Sequence, residues 1–160
     1  WIKQNKIDAF YDKKKLNKND IQGIISEVKN EKIHGLNVTV PYKNFVIPFL
    51  DKLTSVADKT QSVNTIFKEG NEVIGDNTDV EGFENGLKYI NYNVKNKKVF
   101  ILGAGGVVPS IILALKKLGA NKISVSNRTV EKVKKLKKIH NELEIVSWGQ
   151  NIDFDMIIEH

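Results

Sequence analysis

The chain has no cysteine among its 160 residues, which excludes both a disulfide framework and a metal site built on thiolates. It has only three histidines, and neither His34 nor His140 has a partner at metal-ligand spacing. No apolar run approaches the ~20 residues that a membrane-spanning helix needs. The chain has 160 residues, 41% of them hydrophobic, which is enough for the core of one ordinary domain or of two small ones. These features predict a soluble, cytoplasmic enzyme without a metal.

Arginine is nearly absent as well. Arg128 is the only arginine among 25 basic residues, so the net charge of +6 rests on lysine. The densest basic run, residues 130–138, interleaves lysines with Val130, Val133 and Leu136 at helical spacing. Nucleic-acid sites usually add arginines and exposed aromatic residues, so we interpret this run as the solvated face of an amphipathic helix. The composition therefore predicts no nucleic-acid partner and no membrane partner, and it leaves the oligomeric state open.

A polar motif follows a short apolar segment near the start of the chain. Residues 33–40 read as a strand, which Pro41 ends or confines to a sheet edge because proline cannot donate to a ladder. Thr39 and Lys43 then place a hydroxyl and an amine close to the amide of Asn37. Such a group is typical of a site for a polyhydroxylated small molecule. The alternative interpretation is a surface lysine after a strand.

The second motif is a polar cluster between a predicted hairpin and a predicted helix. Residues 63–67 and 71–76 flank the turn at Gly70, and apolar residues at 3.6-residue spacing from Val80 predict a helix that runs to about residue 91. The residues between them, 76–79, read Asp-Asn-Thr-Asp. Any of these four could cap the helix, which is the usual role of such residues. One cap needs only one of them, so a functional role for the cluster stays open.

The third motif is a strand, a glycine turn and a helix. The buried-type strand at residues 99–102 precedes Gly103 and Gly105, which permit a tight turn and close approach of the backbone to a pyrophosphate. A second strand at residues 122–126 ends in Asn127-Arg128-Thr129, where an NAD site usually has an acidic residue. A guanidinium is suited to a 2′-phosphate. The motif therefore predicts NADP(H) as the cofactor.

The remaining pattern predicts a two-domain α/β chain. We expect a parallel-sheet substrate domain at residues 1–79, with a strand at residues 7–11 and a helix capped by Asp20. A Rossmann-type dinucleotide-binding domain should occupy residues 80–160, with a third strand at residues 153–158. A polar, flexible linker is expected near residues 92–97, and both ligands should lie in the cleft between the domains.

Taken together, the motifs resemble those of the shikimate dehydrogenase family. The resemblance rests on residues 37–43, 63–65, 75–79, 103–106 and 127–129, in family order and over nearly the whole chain. It implies the NADPH-dependent reduction of 3-dehydroshikimate to shikimate, in chorismate and aromatic amino acid biosynthesis. It also implies that Lys43 and Asp79 form a catalytic pair that contacts the substrate. Substrate hydroxyls would be bound by Thr39 and Asn64, and the cofactor by Gly103, Ala104, Gly105, Gly106, Asn127, Arg128, Thr129 and Lys132.

The chemistry of the Lys43 and Asp79 pair is consistent with that resemblance. Reduction of a ketone by hydride transfer builds negative charge on oxygen, which must be stabilised and then protonated. The Lys43 ammonium can do both, and Asp79 can orient it through an ion pair. Two alternatives stay open: an NAD-dependent quinate/shikimate dehydrogenase, and a ligand-binding module without catalysis.

Several departures from the family pattern bear on activity. Family members begin with a Ser-x-Ser substrate motif and continue beyond the third strand of the nucleotide domain, so we expect residues 1–160 to be an incomplete enzyme without activity by themselves. In the phosphate loop, Val108 stands where the family pattern has a small residue, and Pro109 removes an amide early in the following helix. Val108 should hold that helix slightly away from the strand, and the two residues together leave the cofactor affinity open.

Overall fold

A computed structural model of the chain describes residues 2–160, and Trp1 lies outside the described residues. Two four-stranded sheets follow each other along the chain, each with helices packed against it. The predicted α/β class with a Rossmann-type second half is confirmed. Within residues 2–160, none of the helices combines the length and the apolar character needed to cross a bilayer.

The first sheet is mixed, whereas the sequence analysis expected parallel pairing throughout this domain. Its strand order is β1-β3-β4-β2, and only β2 and β4 run parallel. The pairs β1–β3 and β3–β4 are antiparallel, and the second of them is a hairpin in which a tight turn at Gly70, with φ of 58°, reverses the chain. The hairpin itself is confirmed. The bounds of these strands are β1 Gly35–Asn37, β2 Lys52–Leu53, β3 Thr65–Glu69 and β4 Glu72–Asp76.

Two predicted strands of the first domain differ from the structure. Residues 7–11, which lie in the described part of the chain, form neither strand nor helix, and the Phe10 side chain is 90% exposed. A segment becomes a strand only if a neighbouring strand pairs with it, and residues 7–11 pair with none of the strands in the described part of the chain. The predicted strand at residues 33–40 is reduced to β1, the part that pairs with β3.

The first core is built by helix α1 (Ile21–Lys29), by α2 (Ser55–Thr60) and by the inner face of the first sheet. Asp20 precedes α1 as predicted, but its carboxylate accepts a hydrogen bond from the Asn17 amide at 2.9 Å and does not cap α1. A short 3-10 turn, Lys18–Asp20, leads into the helix, and the Asp20 carboxylate caps this turn through its bond to Asn17. The core residues are Ile21, Ile24, Ile25, Val28, Val46, Ala57, Val63, Ile66 and Val73.

The second sheet is parallel, in the order β7-β6-β5-β8. Its strands alternate with helices as the sequence predicts, and the lysines of α5 are exposed, which confirms the amphipathic helix. The two-residue strand β7 was not predicted, and the third predicted strand begins only at Met156. The bounds are α3 Asp79–Tyr89, β5 Lys98–Leu102, α4 Val108–Lys117, β6 Lys122–Ser126, α5 Val130–Ile139, β7 Glu144–Ile145 and β8 Met156–Glu159.

The segment at residues 92–97 connects α3 to β5 and packs more tightly than its polar composition predicts. Val94 is 2% exposed, and it belongs to the second core. The Asn96 amide donates to the Gly119 carbonyl at 2.9 Å, which ties the segment to the loop after α4. These contacts make the segment part of the second domain.

The buried histidine of the second domain gives the stability a pH dependence. His140 is 3% exposed, and burial lowers its pKa below the ordinary value of 6.5, with the positive charge of Lys116 acting in the same direction and Glu142 opposing it. The unfolded chain therefore takes up a proton that the folded chain resists. This contribution to stability is complete above about pH 6.5 and is lost as the pH falls toward the folded-state pKa.

We expect the free energy of unfolding to decrease as the pH falls from about 6.5 to about 5.5, by at most about 1.4 kcal/mol per pH unit for this one proton. Urea denaturation at several pH values measures it. The His140→Leu variant should show a flatter profile in that range, whereas replacement of the exposed His34 by leucine should leave the profile as it is. Parallel profiles for wild type and His140→Leu would contradict the assignment.

Candidate active site

The structure brings Lys43 and Asp79 together although 36 positions separate them in the chain. The Lys43 Nζ lies 2.7 Å from Oδ2 of Asp79, and the two side chains are only 12% and 22% exposed. Lys43 stands in the turns after Pro41, where its carbonyl accepts from the Val63 amide at 2.8 Å. Asp79 is the first residue of α3. The ion pair therefore joins two rigid segments of the fold, and its partial burial limits competition from water.

Asn64 fixes the second carboxylate oxygen of Asp79. Its Nδ2 donates to Oδ1 of Asp79 at 2.8 Å and to the Thr78 hydroxyl at 3.0 Å. Its Oδ1 accepts from the Thr78 amide at 3.0 Å. Both donors of the amide are thus occupied, and Asn64 orients Asp79 directly. A contact between Asn64 and a substrate hydroxyl, which the sequence analysis expected, would require one of these bonds to be shared.

Thr39 lies beside Asn64 in the loop that follows β1. The Val38 amide donates to the Asn64 carbonyl at 2.8 Å, and this bond extends the pairing of β1 with the β3 side of the hairpin. The Thr39 residue itself is exposed, and its carbonyl accepts from the Tyr42 amide at 3.0 Å, directly before Lys43. The chain thus gathers an ammonium, an oriented carboxylate and an amide at one end of the first sheet, with Thr39 in the adjoining loop.

The glycine loop between β5 and α4 runs directly past this group. Gly103 has φ of 122°, a value that favours glycine, and its amide donates to the Ser126 carbonyl at 2.8 Å. A Cβ atom built on Gly106 would lie 3.9 Å from Cδ of Lys43 and 3.7 Å from Cγ2 of Val40. The loop that could hold a pyrophosphate therefore lies beside the stem of the Lys43 side chain. Gly105 and Ala104 lie between these two glycines.

Val108 and Pro109, the two departures in this loop, are both buried at the start of α4. Val108 is fully buried and belongs to the second core. Proline in the first turn of a helix is well tolerated because its missing amide would have no intrahelical partner there. The effect of these residues on cofactor affinity stays a prediction.

The end of β6 carries the other predicted cofactor residues. Asn127 Nδ2 donates to the Thr129 carbonyl at 2.9 Å, which shapes the turn into α5, and Lys132 lies exposed in the first turn of that helix. Arg128 is exposed, and its Cζ lies 5.5 Å from the ring centroid of Trp148. A stacked guanidinium keeps its in-plane N–H groups free for other partners. The sequence analysis missed Trp148, because no pattern in the chain links it to Arg128.

Sequence reasoning also missed the role of Asn77, which it treated only as one possible cap. Asn77 is 3% exposed, and its amide contacts residues of α2, the turn after α2, and α4. The surplus of four Asx and Thr residues before α3, where one cap suffices, was the only sequence signal. Thr78 occupies the cap position of α3 without a side-chain capping bond, so the helix does not account for the cluster.

Two family models match the chain. The model of the shikimate dehydrogenase substrate binding domain matches residues 1–66, and the model named shikimate / quinate 5-dehydrogenase matches residues 86–151. The chain is 57% identical over 158 residues to a shikimate dehydrogenase (NADP(+)) of Pelagibacter ubique, with 99% of this chain and 60% of that protein covered. The chain thus spans about three fifths of the length of the curated relatives it matches.

Solved structures give the same result. The chain is similar to shikimate dehydrogenase 1 of Peptoclostridium difficile, with a TM-score of 0.87 at 30% identity over 99% of this chain and 58% of the other. It is also similar to shikimate 5-dehydrogenase of Thermus thermophilus, determined with NADP(H) and shikimate, with a TM-score of 0.87 at 25% identity over 99% of this chain and 59% of the other. The chain belongs to the shikimate dehydrogenase family.

Proposed function

We propose that this chain forms the substrate- and cofactor-binding core of an NADP-dependent shikimate dehydrogenase, an oxidoreductase that interconverts 3-dehydroshikimate and shikimate in aromatic amino acid biosynthesis. The observation that carries the proposal is the ion pair between Lys43 and Asp79, whose charged atoms are 2.7 Å apart and which lies beside the glycine loop. A proton donor beside a dinucleotide loop is the arrangement that ketone reduction requires. Names of the relatives support the same substrate and cofactor.

In this proposal the residues of the first domain hold the ketone and supply a proton. The Lys43 ammonium binds the carbonyl oxygen, stabilises the negative charge that develops there and donates the proton. Asp79 keeps the ammonium in position, and Asn64 keeps Asp79 in position. Thr39 binds a substrate hydroxyl from the exposed side of the site. Because the ion pair is partly buried, the ammonium retains one orientation while the oxygen approaches.

The residues of the second domain fit an NADP cofactor. The loop at Gly103, Ala104, Gly105 and Gly106 has the glycines that permit close approach of a backbone to a pyrophosphate, and the end of β6 offers cations where an NAD site has a carboxylate. Arg128 would contact the 2′-phosphate, with Asn127, Thr129 and Lys132 around it. Bound NADPH would supply the hydride.

The test of the proposed function is turnover by the product of the complete coding sequence. We expect oxidation of shikimate with NADP⁺, followed by the absorbance of NADPH, at a rate well above that with NAD⁺. The same assay with quinate in place of shikimate tests the second substrate that the family model names. Faster turnover with NAD⁺ and quinate would favour a quinate/shikimate dehydrogenase, and binding without turnover would favour a non-catalytic module.

Replacement of Arg128 by alanine should weaken NADPH binding about tenfold or more, because charge-assisted hydrogen bonds to the 2′-phosphate are lost. Binding of NADH should change little. Trp148 lies against Arg128, so its fluorescence can report titration with adenosine 2′,5′-bisphosphate, a probe that needs no turnover. Lys138→Ala, which removes an exposed charge from α5, the helix that follows Arg128, is the control. Equal losses for NADPH and NADH would show that Arg128 does not bind the phosphate.

We also propose that the domain boundary lies at residues 79 and 80. The first core ends at Val73, whereas Leu87 of α3 belongs to the second core and Phe83 packs against it. Helix α3 therefore packs with the second domain while its first residue, Asp79, reaches back to Lys43. Residues 1–79 would form the substrate domain and residues 80–160 the dinucleotide-binding domain.

A further inference from the structure

Asn77 is a buried amide that hydrogen-bonds to residues of both domains. Its Nδ2 donates to the Ser62 carbonyl at 2.8 Å and lies 2.9 Å from the Ser110 hydroxyl and 3.3 Å from that of Thr60. Its Oδ1 accepts from the Asp79 amide at 3.0 Å and from the Ser110 hydroxyl at 3.2 Å. The two donors and the carbonyl oxygen of this amide are all in use.

The partners of Asn77 are themselves buried. Thr60, Ser62 and Ser110 are all 0% exposed, so water does not replace the bonds they make. Together with Asn77 they form the Asn77 cluster. Ser62 extends it, because its hydroxyl donates to the Gly106 carbonyl in the glycine loop at 3.3 Å. Ser110 stands in the first turn of α4, directly after that loop. The cluster therefore reaches the loop from two directions.

The same side chain also reaches the ion pair. The bond from the Asp79 amide to Asn77 fixes the backbone of the residue whose carboxylate holds Lys43. A chain of hydrogen bonds thus runs from α4 through Ser110 and Asn77 to Asp79, and from there to the Lys43 ammonium. Buried polar groups are costly when a partner is lost, so this chain favours one relative position of its two ends.

We propose that Asn77 is a positioning residue that couples the glycine loop and α4 to the Lys43–Asp79 pair. The inference rests on the proposed function, because Asn77 would set the distance between the bound dinucleotide and the reacting carbon of the substrate. Hydride transfer is sensitive to this distance, and misplacement of a reacting group by about 1 Å can cost about a hundredfold in rate. Asn77 contacts neither ligand in this proposal; it acts through Asp79 and Ser110.

The chemistry of the site explains why an amide is required. Aspartate at this position would place a carboxylate oxygen against the Ser62 carbonyl, where Nδ2 now donates, and would bury a charge. Alanine would leave the Asp79 amide and the Ser62 carbonyl without this partner. Ser110→Ala is the milder change, because it removes one hydroxyl and keeps the bond from Asp79 to Asn77.

The test compares Ser110→Ala and Asn77→Ala with Ser124→Ala in the product of the complete coding sequence. Ser124 is a buried serine of β6 whose hydroxyl donates to Glu144, so its loss controls for a buried hydrogen bond elsewhere. We expect kcat to fall about threefold to tenfold for Ser110→Ala and at least tenfold for Asn77→Ala. Dissociation constants for NADPH and for shikimate, each measured alone, should stay within about twofold.

Two further readouts separate positioning from a purely structural role. The first is the deuterium isotope effect on kcat for the reduction of 3-dehydroshikimate, measured with NADPH that carries deuterium at the transferred hydride. It should increase in Ser110→Ala and in Asn77→Ala, because hydride transfer becomes slower relative to product release. Hydrogen exchange of residues 103–112 should become faster in Asn77→Ala than in Ser124→Ala. An unchanged kcat for correctly folded Ser110→Ala, or a lower melting temperature without a change in isotope effect, would overturn the proposal.

The outcome can be separated from that of the proposed function. If the wild-type protein does not oxidise shikimate, the proposed function fails, and the exchange measurement alone decides whether Asn77 couples the loop to Asp79. Exchange in residues 103–112 that matches the Ser124→Ala control would then overturn the coupling. If Asn77→Ala does not fold, the isotope effect and the hydrogen exchange are both measured on Ser110→Ala.

Discussion

Lys43→Ala is expected to lower kcat for shikimate oxidation by ~10²–10⁴-fold, while NADPH binding changes little. The reason is that the ammonium acts at the reacting oxygen, where it stabilises charge and transfers a proton. Its Nζ lies 2.7 Å from Asp79, and its side chain is 12% exposed, so a water molecule that replaced it would not be held in the same position. The glycine loop lies beside the stem of Lys43, and no hydrogen bond from the ammonium to the loop is needed for its shape, so cofactor affinity should persist.

The measurement is steady-state turnover together with NADPH binding by fluorescence. Lys59→Ala removes an exposed lysine from α2 of the same domain and is the matched control. Methylamine added to Lys43→Ala should restore part of the rate, since it supplies an amine to the space that the side chain leaves. Near-normal turnover of Lys43→Ala would exclude Lys43 as the proton donor.

The Asp79→Asn variant should lose about a hundredfold in kcat and should also bind shikimate more weakly. Both carboxylate oxygens accept hydrogen bonds, Oδ2 from Lys43 and Oδ1 from Asn64. An amide has one oxygen, so its NH₂ group must face one of these two donors. The ammonium would lose its ion pair or Asn64 would lose its acceptor, and in either case the proton donor moves from its position.

The backbone bond from Asp79 to Asn77 is kept in this variant, so the fold should survive the change. Asp58→Asn, at an exposed carboxylate on α2, provides the control. A melting temperature close to that of wild type together with low kcat would support a functional role. If Asp79→Asn retained kcat and lost only stability, Asp79 would be a structural residue, and the proposed mechanism would need another partner for Lys43.

The elements that local sequence predicts best are those whose signals lie within one segment. Strand β6 was predicted at its observed bounds, and helices α3 and α5 were predicted within a few residues, because their apolar spacing and flanking polar residues are local properties. The hairpin around Gly70 was predicted for the same reason. In the second domain, alternation of strand and helix was enough to predict a parallel sheet.

Predictions failed where pairing between distant segments decides the structure. The exposed segment around Phe10 has strand-like composition, but no sheet edge receives it. The first sheet is mixed because β2 joins the far side of a hairpin, a choice that no local pattern encodes. The short strand β7 exists only because it can pair with β6. Strand formation requires a partner, and the partner is a tertiary property.

The sequence by itself determined which chemical groups this protein carries: a lysine and an aspartate in polar motifs, a glycine loop, and a single arginine after the second strand of the dinucleotide fold. Only the tertiary structure decided that Lys43 and Asp79 lie 2.7 Å apart, that Arg128 lies over Trp148, and that Asn77 bonds to Ser110. The physical reason is that residue type fixes what a side chain can donate or accept, whereas a hydrogen bond forms only within about 3 Å, a distance that the packing of two separate cores sets.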